Sequence, residues 1–139
     1  MRLHFQKTRS ALRWSLIVLY GLAGVLHITR PNSFVAILPS EIPFPEIVIL
    51  ITGICEIAGA IGLITNQYRK AAGIALALYA IAVFPANIKH AFQHVQVGNI
   101  PDSWWYHAPR LALQPVLVWA ALFCVEFIAW PFKQDEPEA

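Results

Sequence analysis

Residues 46–65 read EIVILITGICEIAGAIGLIT, a run with one charged side chain, Glu56, behind the glutamate at its edge. About 20 apolar residues are what a helix needs to cross a hydrocarbon core roughly 30 Å thick. Three further runs of similar character flank it, at about residues 14–29, 70–92 and 109–132. The reading is an all-α integral membrane four-helix bundle, a single transmembrane domain over residues 1–139 that ends in a short acidic tail at 133–139.

Composition agrees, with 58% of the 139 residues apolar, 13% charged and a mean hydropathy of +0.56. Four spans use roughly 80 residues, which leaves no room for a soluble catalytic domain. Nucleotide-binding cores, secreted disulfide scaffolds and nucleic-acid readers are thereby excluded, and a formal charge of +2 asks for no polyanionic partner. Cys55 and Cys124 lie in separate apolar runs without a CxxC spacing, so both are expected as small buried side chains. The basic head with Arg2, Lys7, Arg9 and Arg13 resembles that of a signal peptide. Leu26, however, is succeeded by His27, Ile28, Thr29, Arg30 and Pro31, a poor processing site, so the first span is expected to stay uncleaved.

Lys and Arg are retained on the cytoplasmic side of a membrane. With the N-terminus inside, that side collects Arg2, Lys7, Arg9, Arg13, Arg69, Lys70 and Lys133, against Arg30, Lys89 and Arg110 outside. Both termini are therefore expected in the cytoplasm, with the chain in the cytoplasmic (inner) membrane. The outer link between spans one and two carries Pro31, Pro39, Pro43 and Pro45 and reads as an extended cap, while Trp104, Trp105 and Tyr106 suit the headgroup layer. Glycine and alanine recur at helical spacing in spans one to three, among them Gly21, Gly24, Gly53 and Gly73, which predicts close helix packing.

An ionisable side chain in hydrocarbon needs a partner, a cavity or a purpose. By helix rise, Glu56 lies about 15 Å below the outer surface, at the bilayer centre. His27 falls in the outer third of span one. Asn87 and His90 lie one turn apart near the outer end of span three, with His94 continuing their face, and Arg110 and Gln114 form an i, i+4 pair entering span four. Pro85 and Pro115 break helix bonds at the same depth. These features predict an outward-opening pocket walled by spans one, three and four with Glu56 on its floor. The ligand-binding set is His27, Glu56, Asn87, His90, Arg110 and Gln114. Glu56 is also the candidate proton relay, with His27 and Arg110 as its countercharges. Arg110, Lys89 and His107 lie near the surface and also read as snorkelling groups, and Glu126 as an interfacial carboxylate. His90 and His94 have the spacing of a metal or haem pair, but no further ligand is firmly placed, so neither metal nor haem is expected.

The loop RPNSFVAILPSEIPFP (30–45), the stretch TGICEIAGAIGL (52–63), the run RKAAGIALALYAIAVFPANIKHAF (69–92) and the entry WYHAPRLALQPVLVWA (105–120) together resemble the DoxX-like family of small membrane proteins. That resemblance implies a four-helix membrane bundle and an accessory role in a quinone-linked redox system, with quinone as ligand and a redox partner subunit or a second copy as partner. Two other readings stand beside it. One is a non-enzymatic binding or chaperone bundle that holds lipid or another hydrophobic ligand, with the lipid bilayer as its setting. The other is a proton-coupled small transporter, against which count the placement of the Glu on span two and the strong charge bias.

Overall fold

A computed structural model describes residues 2–94 and 101–131. Lys133 and the acidic tail lie outside the described residues. Those described form five helices and no strand: α1 Arg2–Thr29, α2 Asn32–Val35, α3 Pro45–Ile64, α4 Arg69–Phe92 and α5 Trp104–Cys124. Three segments are long and apolar enough to cross a membrane: Phe5–Thr29, Pro45–Ile64 and Arg69–Phe92. They carry many large apolar side chains on their outer sides, including Val18, Leu22, Ile51, Ile54, Leu78 and Ile81. Such a surface suits lipid rather than water. Helix α5 carries the polar side chains His107, Arg110 and Gln114 and is not among these three segments.

Several boundaries differ from those the sequence suggests, each for a local reason. The basic head is continuous with the first span, so α1 has 28 residues. The proline-rich link is not extended throughout. Pro31 has φ −58° and ψ −41°, and because its ring angle suits a first helical turn, the short helix α2 forms directly after it. Ile37 is then buried, and the Lys89 ammonium donates to the Leu38 carbonyl, tying the link to α4. Helix α5 begins five residues before Pro109, because the Ser103 hydroxyl caps it by accepting from the Trp105 N–H at 3.2 Å. It also stops at Cys124, short of 132. Glu126 takes a left-handed φ of 61°, and the N–H groups of Glu126 and Phe127 donate back to the Phe123 and Leu122 carbonyls. That pair of bonds is the Schellman closure of a helix C-terminus.

Helix α1 packs on α3 and α5, α3 on α4, and α4 on α5. Their apolar core gathers at the end holding the α3–α4 turn. Leu16 and Tyr20 meet Leu63, Leu76, Ala121 and Val125 there. Small residues allow the contact: a Cβ added to Gly73 would lie 2.5 Å from the Val125 side chain and 2.8 Å from the Ala121 carbonyl. Cys124 belongs to this core, but Cys55 is exposed on the outer side of α3, contrary to the expectation that both thiols are buried.

Candidate functional site

The opposite end, where α1 and α4 finish and α3 and α5 begin, is hollow. A cavity of about 620 Å³ lies there, walled by apolar groups such as Leu19, Ala23, Ile49, Val83, Leu113 and Leu117. Phe34, Ile37 and Leu38, from α2 and the residues after it, also line it. All four long helices contribute to its wall, so it is not built by spans one, three and four around a floor residue alone. Its polar groups fall into two clusters.

The first centres on Glu56, 4% exposed in the middle of α3. His27 Nδ1 donates to Oε2 at 2.7 Å, and the Tyr79 hydroxyl donates to Oε1 at 2.8 Å. Helices α1 and α3 approach closely enough because Gly24 and Gly53 face each other: a Cβ on Gly53 would lie 2.9 Å from the Gly24 carbonyl and 2.9 Å from His27 Cβ. The Phe34 ring stands edge-on to His27, with centroids 4.4 Å apart. The carboxylate thus spans three helices through two charge-assisted or hydroxyl donors.

The second cluster centres on Arg110. Its Nη1 donates to His90 Nδ1 at 2.8 Å and its Nη2 to the Asn87 side-chain carbonyl. Asn87 Nδ2 donates at 3.0 Å to Gln114, whose own amide nitrogen donates to the Ala80 carbonyl. That carbonyl lies one residue before Ile81, whose helical bond Pro85 removes. Because His90 accepts at Nδ1, its Nδ1 is unprotonated and the ring is neutral. The guanidinium also lies over the Tyr106 ring, 5.8 Å from its centroid.

A third group lies between the cavity and the α4–α5 loop. His107 is 1% exposed, so it is a packed residue rather than a snorkelling one. Its ring is 4.8 Å from that of His90, and its Nε2 donates to Asp102 Oδ1 at 3.1 Å. His107 Nδ1 is buried without a hydrogen-bond partner among the described residues. Asp102 also accepts from His94 Nδ1 at 3.0 Å, and that bond first, then the one from His107, holds its carboxyl below the ordinary value. His94 does not continue the face of Asn87 and His90. It takes φ 51° just past the end of α4, which swings its exposed ring out to Asp102.

His27, Glu56, Asn87, His90, Arg110 and Gln114 all line the one cavity. The structure separates Arg110 from Glu56, however: among the described residues Glu56 is bonded by His27 and Tyr79, and Arg110 by His90 and Asn87. Tyr79, the second donor to Glu56, escaped sequence reasoning because it sits in an apolar run. Its signal was its stripe, since Tyr79, Val83, Asn87 and His90 succeed one another at i+4 and i+3 along α4. Lys89 binds the α2 link, and Glu126 pairs with Arg9 at 3.0 Å.

The chain belongs to the family described as a domain of unknown function (DUF8561), whose profile matches residues 16–125. That assignment overturns the resemblance to the DoxX-like family, of which no match is found. The quoted stretches are amphipathic helices and proline-bounded links that unrelated membrane bundles also use. No curated protein and no solved structure matches the chain.

Proposed function

We propose that this protein is a four-span membrane protein whose cavity binds one amphipathic molecule, with both termini in the cytoplasm. The observation that carries the reading is the cavity of about 620 Å³, apolar over most of its wall and furnished with two sets of oriented polar groups. Ligand sites of about 300–1,000 Å³ with that division of surface are the ordinary form of small-molecule sites. Helix α5 counts as the fourth span because its 21 residues extend about 31 Å and its polar side chains Arg110 and Gln114 line the cavity. Charge sets the orientation, since Lys7, Arg9, Arg13, Arg69 and Lys70 lie at the core end of the helices and the cavity at the other.

The quinone-linked redox reading loses the support of the family resemblance. Mass spectrometry of the full chain purified in mild detergent tests the reading. One amphiphile released per chain is expected, and Val83→Trp, which fills the wall, should abolish it while leaving the fold intact. A parent protein that carries no ligand and takes up no added amphiphile would overturn the proposal.

A further inference from the structure

We infer that the molecule bound in this cavity has an anionic head, a carboxylate or a phosphate, on a single apolar chain, and that the head seats on Arg110. The inference rests on the binding role proposed above and adds the charge of the ligand.

The cavity is lined by one carboxyl group, Glu56, and one guanidinium, Arg110, and they are not paired with each other. Glu56 is spoken for by His27 and Tyr79. Among the described residues no carboxylate lies within 4 Å of Arg110, while Arg9, His27, His94 and His107 each have one. The partners that Arg110 does have are a neutral imidazole nitrogen and an amide oxygen, neither of which supplies a countercharge. A cation facing an apolar cavity without an anion is costly, and a ligand that brings the anion recovers that cost on binding.

The guanidinium is also oriented for the task. Two of its N–H groups are engaged, and Asn87, which takes one of them, is itself fixed through Gln114 to the Ala80 carbonyl. Arginine presents five N–H donors in a planar fork that matches carboxylate and phosphate oxygens. The rest of the wall, from Leu19 and Ala23 to Leu113 and Leu117, offers an apolar chain its surface. A volume of about 620 Å³ suits one chain.

Binding of palmitate, hexadecyl phosphate, hexadecanol and hexadecyltrimethylammonium to the full chain in nanodiscs of neutral lipid decides the matter. The four probes share one tail and differ in the head. The anionic pair should bind about tenfold or more tighter than hexadecanol, the cation should bind weakest, and whichever anion is tighter names the head. Arg110→Gln should bring palmitate down to the affinity of hexadecanol, and Arg110→Lys should keep part of the preference. Equal binding of palmitate and hexadecanol by the parent chain would overturn the inference while leaving the binding role standing. Retention of the full anion preference in Arg110→Gln would overturn it too, and failure of every probe to bind would remove the binding role itself. The comparison of heads on the parent chain needs no variant, so it decides even if Arg110→Gln does not fold.

Discussion

At the scale of single residues, Glu56 shows how a carboxylate is kept buried in a long apolar helix. It accepts from His27 at 2.7 Å and from Tyr79 at 2.8 Å, and leaving either donor unsatisfied costs about 1–3 kcal/mol. Glu56→Gln retains an oxygen for Tyr79 and offers an N–H to a His27 nitrogen in its accepting tautomer, so its melting temperature in detergent should stay near the parent's. Glu56→Ala strands both partners and should lower stability by about 2–6 kcal/mol, that cost taken for each of the two donors; equal melting of the two variants would show that the bonds carry no stability. Hydropathy alone exposed Glu56, because one charge in twenty apolar residues is conspicuous. Its hydroxyl partner was not legible, since tyrosine scores as apolar, and the reading of Arg110 as a countercharge failed because depth along a helix does not fix which side of it faces a neighbour. Asp102, just before α5, supplies a pH dependence. Its carboxyl is held below the ordinary value, so its hold on His94 and His107 is complete above about pH 3.9 and is lost as pH falls through the lowered value. Thermal stability should therefore decline on acidification below that range, and Asp102→Asn should flatten this part of the profile.

At the scale of elements, glycine at a crossing does what side chains cannot. Gly24 and Gly53 bring α1 and α3 so close that a methyl on Gly53 would meet the Gly24 carbonyl and His27 Cβ, both at 2.9 Å. Backbone cannot yield there as a flexible side chain would. Gly53→Ala should push the helices apart, loosen the bond from His27 to Glu56 and cost about 1–3 kcal/mol, as overpacking does. Gly21 makes the control, because nothing lies within 4 Å of the Cβ it would gain. Gly21→Ala should melt within experimental error of the parent; if Gly53→Ala did the same, the close crossing would not be limiting. From sequence the two glycines of α1 looked alike, three residues apart in one small-residue pattern. Only the direction of approach of α3 distinguishes them. Helix ends were misread for a similar reason, since the Ser103 cap and the left-handed turn at Glu126 are local backbone events that apolar run lengths do not register.

At the scale of the whole molecule, the division into a packed end and a hollow end arises from where small and polar residues fall. Ala60, Ala72, Ala77, Ala120 and Ala121 let the helices close at the α3–α4 end. At the other end Asn87, His90, Arg110 and Gln114 hold α4 and α5 by polar contacts, and Tyr79 ties α4 to α3 through Glu56, around an open volume. Orientation is the property of the whole that remains to be measured, and the charges bear on it unequally. Of the three basic residues assigned outside, Lys89 and Arg110 are engaged with the Leu38 carbonyl and with His90 and Asn87, leaving Arg30 as the basic residue of that end not drawn into the cavity or its cover. The contrast with Lys7, Arg9, Arg13, Arg69 and Lys70 is thus sharper than a count of residues suggests, and positive charge near span ends is what the cytoplasmic side retains. Impermeant thiol labelling in intact cells tests this. Cys55 is exposed on the outer side of α3 and is first replaced by Ala, while Cys124 is buried. In that background Ser40→Cys, on the link near the cavity, should label from outside, and Gln67→Cys, in the α3–α4 turn, should label only after the cells are opened; both positions are exposed on the protein surface. Labelling of Gln67→Cys in intact cells, with Ser40→Cys protected, would invert the protein and turn the mouth of its cavity toward the cytoplasm.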